Sequence, residues 1–166
     1  MNSNFKADFS VDRENKTITV THDFAAAVAK VWAAWTQAEL LDQWWAPKPW
    51  RAETSHIDFR NGGYWLYAMI GPEGDKQFCR ADYSNINEQK SYSASDAFCD
   101  EKGNVDESFP QAMWQHSFTA GDGSTNVRIV ITYKELADLE KIVEMGFVEG
   151  FTAGLNNLDE LLAAAA

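Results

Sequence analysis

The spacing of apolar residues along the chain changes three times, and each change marks a change of element. Lys16 to Phe24 (KTITVTHDF) alternates β-branched and polar residues, the mark of a strand with one buried face. Phe9-Ser10-Val11 is placed to pair with it across a turn at Asp12 to Asn15. From Ala25 to Thr36 the apolar residues Val28, Val31, Trp32 and Trp35 recur at helical spacing. Thr36-Gln37-Ala38-Glu39 fits a capping box, which predicts that one helix ends and a second begins there. Leu40, Leu41, Trp44 and Trp45 give the second helix its apolar side, and Pro47 and Pro49 stop it.

Beyond Pro49 the period returns to two. Arg51 to Phe59, Tyr64 to Ile70, Gln77 to Ile86, Lys90 to Phe98, Met113 to Thr119 and Thr125 to Tyr133 read as strands. Gly62-Gly63, Gly71 to Gly74, Asn87-Glu88 and Gly121 to Gly123 supply turns, and Cys99 to Pro110 is a polar, acidic loop. Helical spacing resumes at Lys134 and runs to about Leu162, with apolar marks from Leu136 through Phe147, Phe151 and Leu155 to Leu158 and Leu162. The order predicts an α+β fold: a curved antiparallel sheet of about six or seven strands, two short helices and one long C-terminal helix that covers the sheet. Residues 1–15 read as an extension or hairpin, 16–162 as one domain and 163–166 as a fraying tail.

The long helix carries Gly146, Gly150 and Gly154 at every fourth position, with Phe147, Phe151 and Leu155 one residue later. An interior glycine costs a helix about 1 kcal/mol relative to alanine. Three on one face imply either close packing on the sheet or a groove left open beside the helix. On the strands, Trp65, Tyr67 and Met69 share one face; Phe78, Arg80 and Asp82 share one on the next; so do Tyr92, Asp96 and Phe98, and Trp114, His116 and Phe118. Polar groups in phase with aromatics suit a pocket with a few orienting contacts, and a satisfied buried polar group gives the same pattern. The predicted cavity wall is Trp44, Trp65, Tyr67, Met69, Phe78, Arg80, Tyr92, Asp96, Trp114, His116, Phe118, Phe147, Phe151 and Leu155.

Composition narrows the function classes. The chain has 166 residues, the size of one domain that folds without a disulfide or metal. Its 25 acidic against 14 basic residues give a net charge of −11. No basic cluster suits phosphates, and an anionic membrane surface repels such a chain, so neither nucleic acid nor membrane is an expected partner. Cys79 and Cys99 are too few for a disulfide framework and read as buried thiols. Met1 to Asn15 has no apolar signal core, and no apolar run nears the roughly 18 residues a membrane helix needs, so the expected compartment is the cytoplasm.

Chemical motifs are sparse. His22, His56 and His116 are scattered and no CxxC or HxxxH spacing occurs, so no metal is expected. Neither a Walker loop nor GxGxxG is present, and no cofactor is expected. A Cys–His nucleophile from Cys79 or Cys99 with His116 lacks an evident orienting third residue. For acid–base work the candidate catalytic pair is Asp96 with His116; a structural ion pair is the competing reading.

Several segments together resemble one family. Val31 to Thr36 followed by Leu40 to Trp45 and Pro47 resembles its "VWxAWT…LxxWWxP" signature. Asp58 to Trp65 and Met69 to Gly74 resemble its "DxRxGGxW…MxGP[DE]G" segment, and Gly150 to Leu162 its closing helix, with Phe151 where the family carries Trp. The family is similar to the C-terminal domain of the activator of heat shock protein 90 ATPase, in the SRPBCC, START or Bet v allergen-like superfamily. The resemblance implies a helix-grip fold around a hydrophobic cavity, and so a binder of a small apolar or amphipathic molecule. It also implies two alternatives: a co-chaperone or other protein-interaction role, and, as in some superfamily members, a cyclase- or hydrolase-type enzyme. Eukaryotic activators carry a separate chaperone-binding N-terminal domain, for which 166 residues leave no room. Strand edges and the seven Trp are compatible with a homodimer.

Overall fold

The alternation of β-branched and aromatic residues produces eight strands in a single antiparallel sheet. In a computed structural model describing residues 7–165, β1 is Asp8–Asp12, β2 Thr17–Phe24, β3 Arg51–Ile57, β4 Tyr64–Ile70, β5 Lys76–Asn87, β6 Ser91–Cys99, β7 Ala112–Ala120 and β8 Thr125–Tyr133. Their order across the curved sheet is β1-β2-β8-β7-β6-β5-β4-β3. The sheet exceeds the expected six or seven strands because the Phe9 hairpin joins it, with Phe9 opposite Val20. Its turn is closed by Asp12, whose carboxylate accepts from the Asn15 backbone N–H and side-chain amide.

Register decides which residues face inward. Opposed residues in an antiparallel pair share a face, and Tyr67 opposes Cys79, Ala81 opposes Asp96, Ala94 opposes Trp114, and Trp114 opposes Ile131. These lie on the concave face with Ile18, Val20, His22 and Phe24 of β2. Helices α1 (Val28–Thr36), α2 (Ala38–Trp44), α3 (Leu136–Glu144) and α4 (Phe147–Ala164) cover that face.

Two local expectations are corrected. No capping box forms between α1 and α2: Gln37 occupies the cap position without a side-chain hydrogen bond, and the Thr36 hydroxyl donates back to the Trp32 carbonyl at 2.8 Å. The continuous helix from Lys134 is two helices. Gly146 takes φ 89°, a left-handed conformation that glycine adopts without steric penalty, and its N–H reaches the Val143 carbonyl at 3.1 Å. One glycine of the four-residue repeat is therefore a helix terminator.

Candidate functional site

The concave face is not filled evenly. Ile18, Val20 and Phe24 of β2, Ile129 and Ile131 of β8 and Leu155 and Leu158 of α4 are fully buried. Toward β4, β5 and β6 a cavity of about 260 Å³ remains. At about 30 Å³ each, that is room for roughly nine waters, just under the usual size range of small-molecule sites.

Each wall follows from a local cause. Strand alternation turns Tyr67 and Met69 of β4, Cys79 of β5, Asp96 and Phe98 of β6, Trp114 of β7 and Tyr133 of β8 into the cavity. The end of α2 contributes Trp45 and Pro47. Helix α4 contributes Phe147 and Phe151, whose rings stack with centroids 5.4 Å apart, and between them Gly150, whose missing side chain leaves the space open. Across the Gly146 break, Ile142 and Met145 line the cavity with Pro110, and Met145, 53% exposed, marks its rim.

A second void of about 30 Å³ lies deeper, between Trp35, Trp45, Trp65, Tyr92, Trp114 and His116. Trp45, Tyr67, Asp96 and Trp114 border both spaces. The indole N–H groups of Trp35, Trp45 and Trp114 are buried without hydrogen-bond partners. All three residues line the small void, which has the volume for one water.

Among the described residues Asp96 is the one acidic or basic side chain on the cavity wall. It is half-buried, and loss of hydration pushes its pKa up to about 7, while the neighbouring Trp114 N–H acts weakly in the opposite direction. That N–H falls short of a full hydrogen bond. Among the described residues no cation pairs with Asp96. Burial, reinforced by Asp96, holds the Cys79 thiol well above its ordinary range, so it stays protonated and is a poor nucleophile. Burial does the same to the Tyr67 and Tyr133 hydroxyls.

The predicted cavity residues divide into three groups. Tyr67, Met69, Asp96, Trp114, Phe147 and Phe151 line the large cavity. Trp65, Tyr92 and His116 border only the small void. Trp44, Phe78, Arg80, Phe118 and Leu155 border neither. Trp44 is fully buried and donates to the Ala34 carbonyl at 2.9 Å; the helical turn points Trp45 at the cavity instead. Phe78 and Arg80 lie on the convex face because Arg80 opposes Leu66, not Tyr67. There Arg80 holds Asp82 at 2.7 and 2.9 Å and the Gly103 carbonyl at 2.8 Å, anchoring the acidic loop. Phe118 packs edge-on to Trp32 and Trp35, and Leu155 is sealed in the core.

Asp96 and His116 make no hydrogen bond to each other. They oppose Ala112 and Tyr92, four residues apart on their strands, a spacing of roughly 13 Å. His116 is stacked on Tyr92 at 4.1 Å, and burial lowers its pKa to about 3, against a weak pull from the Tyr92 carbonyl. It is a neutral ring in the core.

Trp45, Pro47, Cys79, Phe98, Tyr133, Ile142 and Met145 also line the cavity and are absent from the predicted wall, whereas Gly150 belongs to the glycine repeat that implied either close packing or an open groove. His22 was also missed: it is buried, and its Nε2 lies 3.0 Å from both carboxylate oxygens of Asp159, tying α4 to β2. Among the described residues no three His, Cys, Asp or Glu side chains converge as a metal site, and no helix is long and apolar enough to cross a membrane.

An antiparallel sheet curved around a C-terminal helix places the chain in the helix-grip class of the SRPBCC superfamily. Residues 25–163 match the family described as Activator of Hsp90 ATPase homolog 1-like protein, and the chain belongs to that family. A crystal structure of a protein from Mycobacterium smegmatis is 31% identical, with a TM-score of 0.87 over 96% of this chain and 98% of that one. A solution structure from Arthrobacter aurescens is 26% identical, with a TM-score of 0.89 over 95% and 91%. The AHSA1 protein of Silicibacter pomeroyi, 20% identical with a TM-score of 0.69 over 90% and 99%, shares the fold. No curated protein matches the chain.

Proposed function

We propose that this protein binds a small apolar or amphipathic molecule in the space beside Gly150. The observation that carries the reading is the cavity of about 260 Å³, walled by aromatic rings and opening at the α3 rim. A buried apolar surface of this kind gains free energy from a ligand that displaces its water. Its walls join rigid elements to the mobile-sized side chains Met69 and Met145, which adapt to different shapes. Catalysis has less support: the thiol is held protonated, the buried histidine neutral, and Asp96 has no proton-transfer partner at hydrogen-bond distance.

Trp45 and Trp114 line the cavity, so their fluorescence reports occupancy. Titration with a panel of apolar and aromatic compounds, checked by native mass spectrometry, should find a saturable binder of one-to-one stoichiometry. Gly150→Leu fills the space with a side chain and should abolish that binding while the protein stays folded. Equal binding by the variant would place the ligand elsewhere and end the proposal. The family description favours a second reading, stimulation of a chaperone ATPase; an Hsp90-type ATPase whose rate is unchanged by saturating protein removes it.

A further inference from the structure

Asp96 places a carboxylate in a cavity where the described residues offer nothing of opposite charge. Every other polar side chain among the described lining residues is neutral: the Tyr67 and Tyr133 hydroxyls, the Cys79 thiol and the Trp45 and Trp114 N–H groups. Among the described residues no Lys, Arg or His lines the cavity. A carboxylate partly withdrawn from water without a partner is costly, and a fold that only needed to fill space has cheaper residues for the position. Trp114 neighbours Asp96, and the rings of Trp45, Phe147 and Phe151 line the same cavity. Aromatic faces attract cations and repel anions. The whole molecule, at net charge −11, also draws cations toward it.

We propose that the ligand of this cavity is an amphipathic amine, its ammonium group held by the Asp96 carboxylate and its apolar body by the rings of Trp45, Trp114, Phe147 and Phe151. The inference rests on the cavity reading above and narrows it to a charge class. The ammonium supplies the hydrogen-bond donors and positive charge that the carboxylate lacks. The void behind Trp45 and Trp114 is too small for more than a water, so the ligand's length runs the other way, toward Met145 and the rim. A ligand carrying a carboxylate would bring a second anion against Asp96 with no cation to offset it.

Three probes of matched length separate the outcomes: phenylbutylamine, phenylbutanol and phenylbutyrate, titrated calorimetrically against the full chain at pH 8. The amine should bind roughly ten- to a hundredfold more tightly than the alcohol, the advantage of a charge-assisted hydrogen bond, and the butyrate weakest of all. Asp96→Asn preserves shape and should bring the amine-to-alcohol affinity ratio close to one. If the alcohol binds the wild type as tightly as the amine, the amine proposal falls and the cavity reading stands. If none of the three binds, both fall. Should the Asn variant not fold, the wild type still decides. Amine affinity must decline from pH 8 to pH 5.5 as Asp96 takes up a proton, and alcohol affinity must stay level. The groups facing Asp96 do not titrate in that window: Cys79 on β5, Tyr67 on β4 and Tyr133 on β8 ionise above it; His116, farther along β7, stays neutral through it. An amine affinity independent of pH overturns the proposal.

Discussion

The two halves of α4 carry the same residue on the same side for opposite purposes. At Gly150, in the first half, an added Cβ would meet nothing closer than Pro47 at 4.0 Å, and the space in front of it is the cavity. At Gly154, one turn later, an added Cβ would lie 3.1 Å from the Trp45 carbonyl oxygen and 3.5 Å from that of Trp44. The helix there presses on the end of α2, and Asn157 donates to the carbonyls of Trp44 and Ala46 at 3.3 and 3.0 Å. From Gly154 onward the helix is clamped by Leu155, Leu158 and Leu162 in the core and by the Asp159–His22 contact. Before it, the helix is a wall with a gap behind. A glycine repeat on a helix therefore reports close approach or open volume, and only the neighbour's position tells which.

That contrast makes graded predictions. The largest effect belongs to the clamped half: Leu158→Ala, at a fully buried position, should cost about 2–5 kcal/mol in urea unfolding. A loss below about 1 kcal/mol would show that half to be as loose as the other.

Next in size is the pH dependence of stability, whose two main sources have opposite sign. Folded Asp96 keeps a proton up to about pH 7, whereas the unfolded chain releases it near pH 4, so stability from this group falls as pH rises through that window and is level above it. Folded His116 stays neutral down to about pH 3, while the unfolded chain protonates it near pH 6.5, so its contribution is lost as pH falls. Asp96→Asn should expose a stability that rises with pH from about 4 to 6.5, and His116→Gln one that falls, each by up to a few kcal/mol. Identical pH profiles for the two variants would refute both assignments.

Gly154→Ala should destabilise by about 1 kcal/mol, because crowding of the Trp45 carbonyl outweighs the gain in helix propensity. Gly150→Ala is the smallest and has the opposite sign: about 0.5–1 kcal/mol of added stability, with nothing to crowd. A thermal-melting comparison in which both alanines shift Tm the same way would break the distinction between the halves.

Much of the architecture was legible from periodicity. Tyr64–Ile70 and Thr125–Tyr133 fall where alternation put them, and the end of α2 falls just ahead of Pro47. The site was legible only in part. On β4 the phase of Trp65, Tyr67 and Met69 was readable, but both faces of that strand are apolar, so the inward one was not. On β5, Phe78 and Arg80 looked like wall residues. Cross-strand register gave the wall to Cys79, since a shift of one residue exchanges the faces. At α2, choosing between Trp44 and Trp45 needed the helix orientation, which depends on where α4 lies.

By itself, then, the order of amino acids determined the strands, most of the helices and turns, the acidic character and the family, because these depend on residues near one another in the chain or on composition. The tertiary structure alone decided that Gly146 ends a helix, Gly150 leaves a hollow and Gly154 admits a backbone. It alone decided that Asp96 stands unpaired among rings. Void volume and charge environment arise from atoms that are distant in sequence and adjacent in space, and no local pattern carries that information.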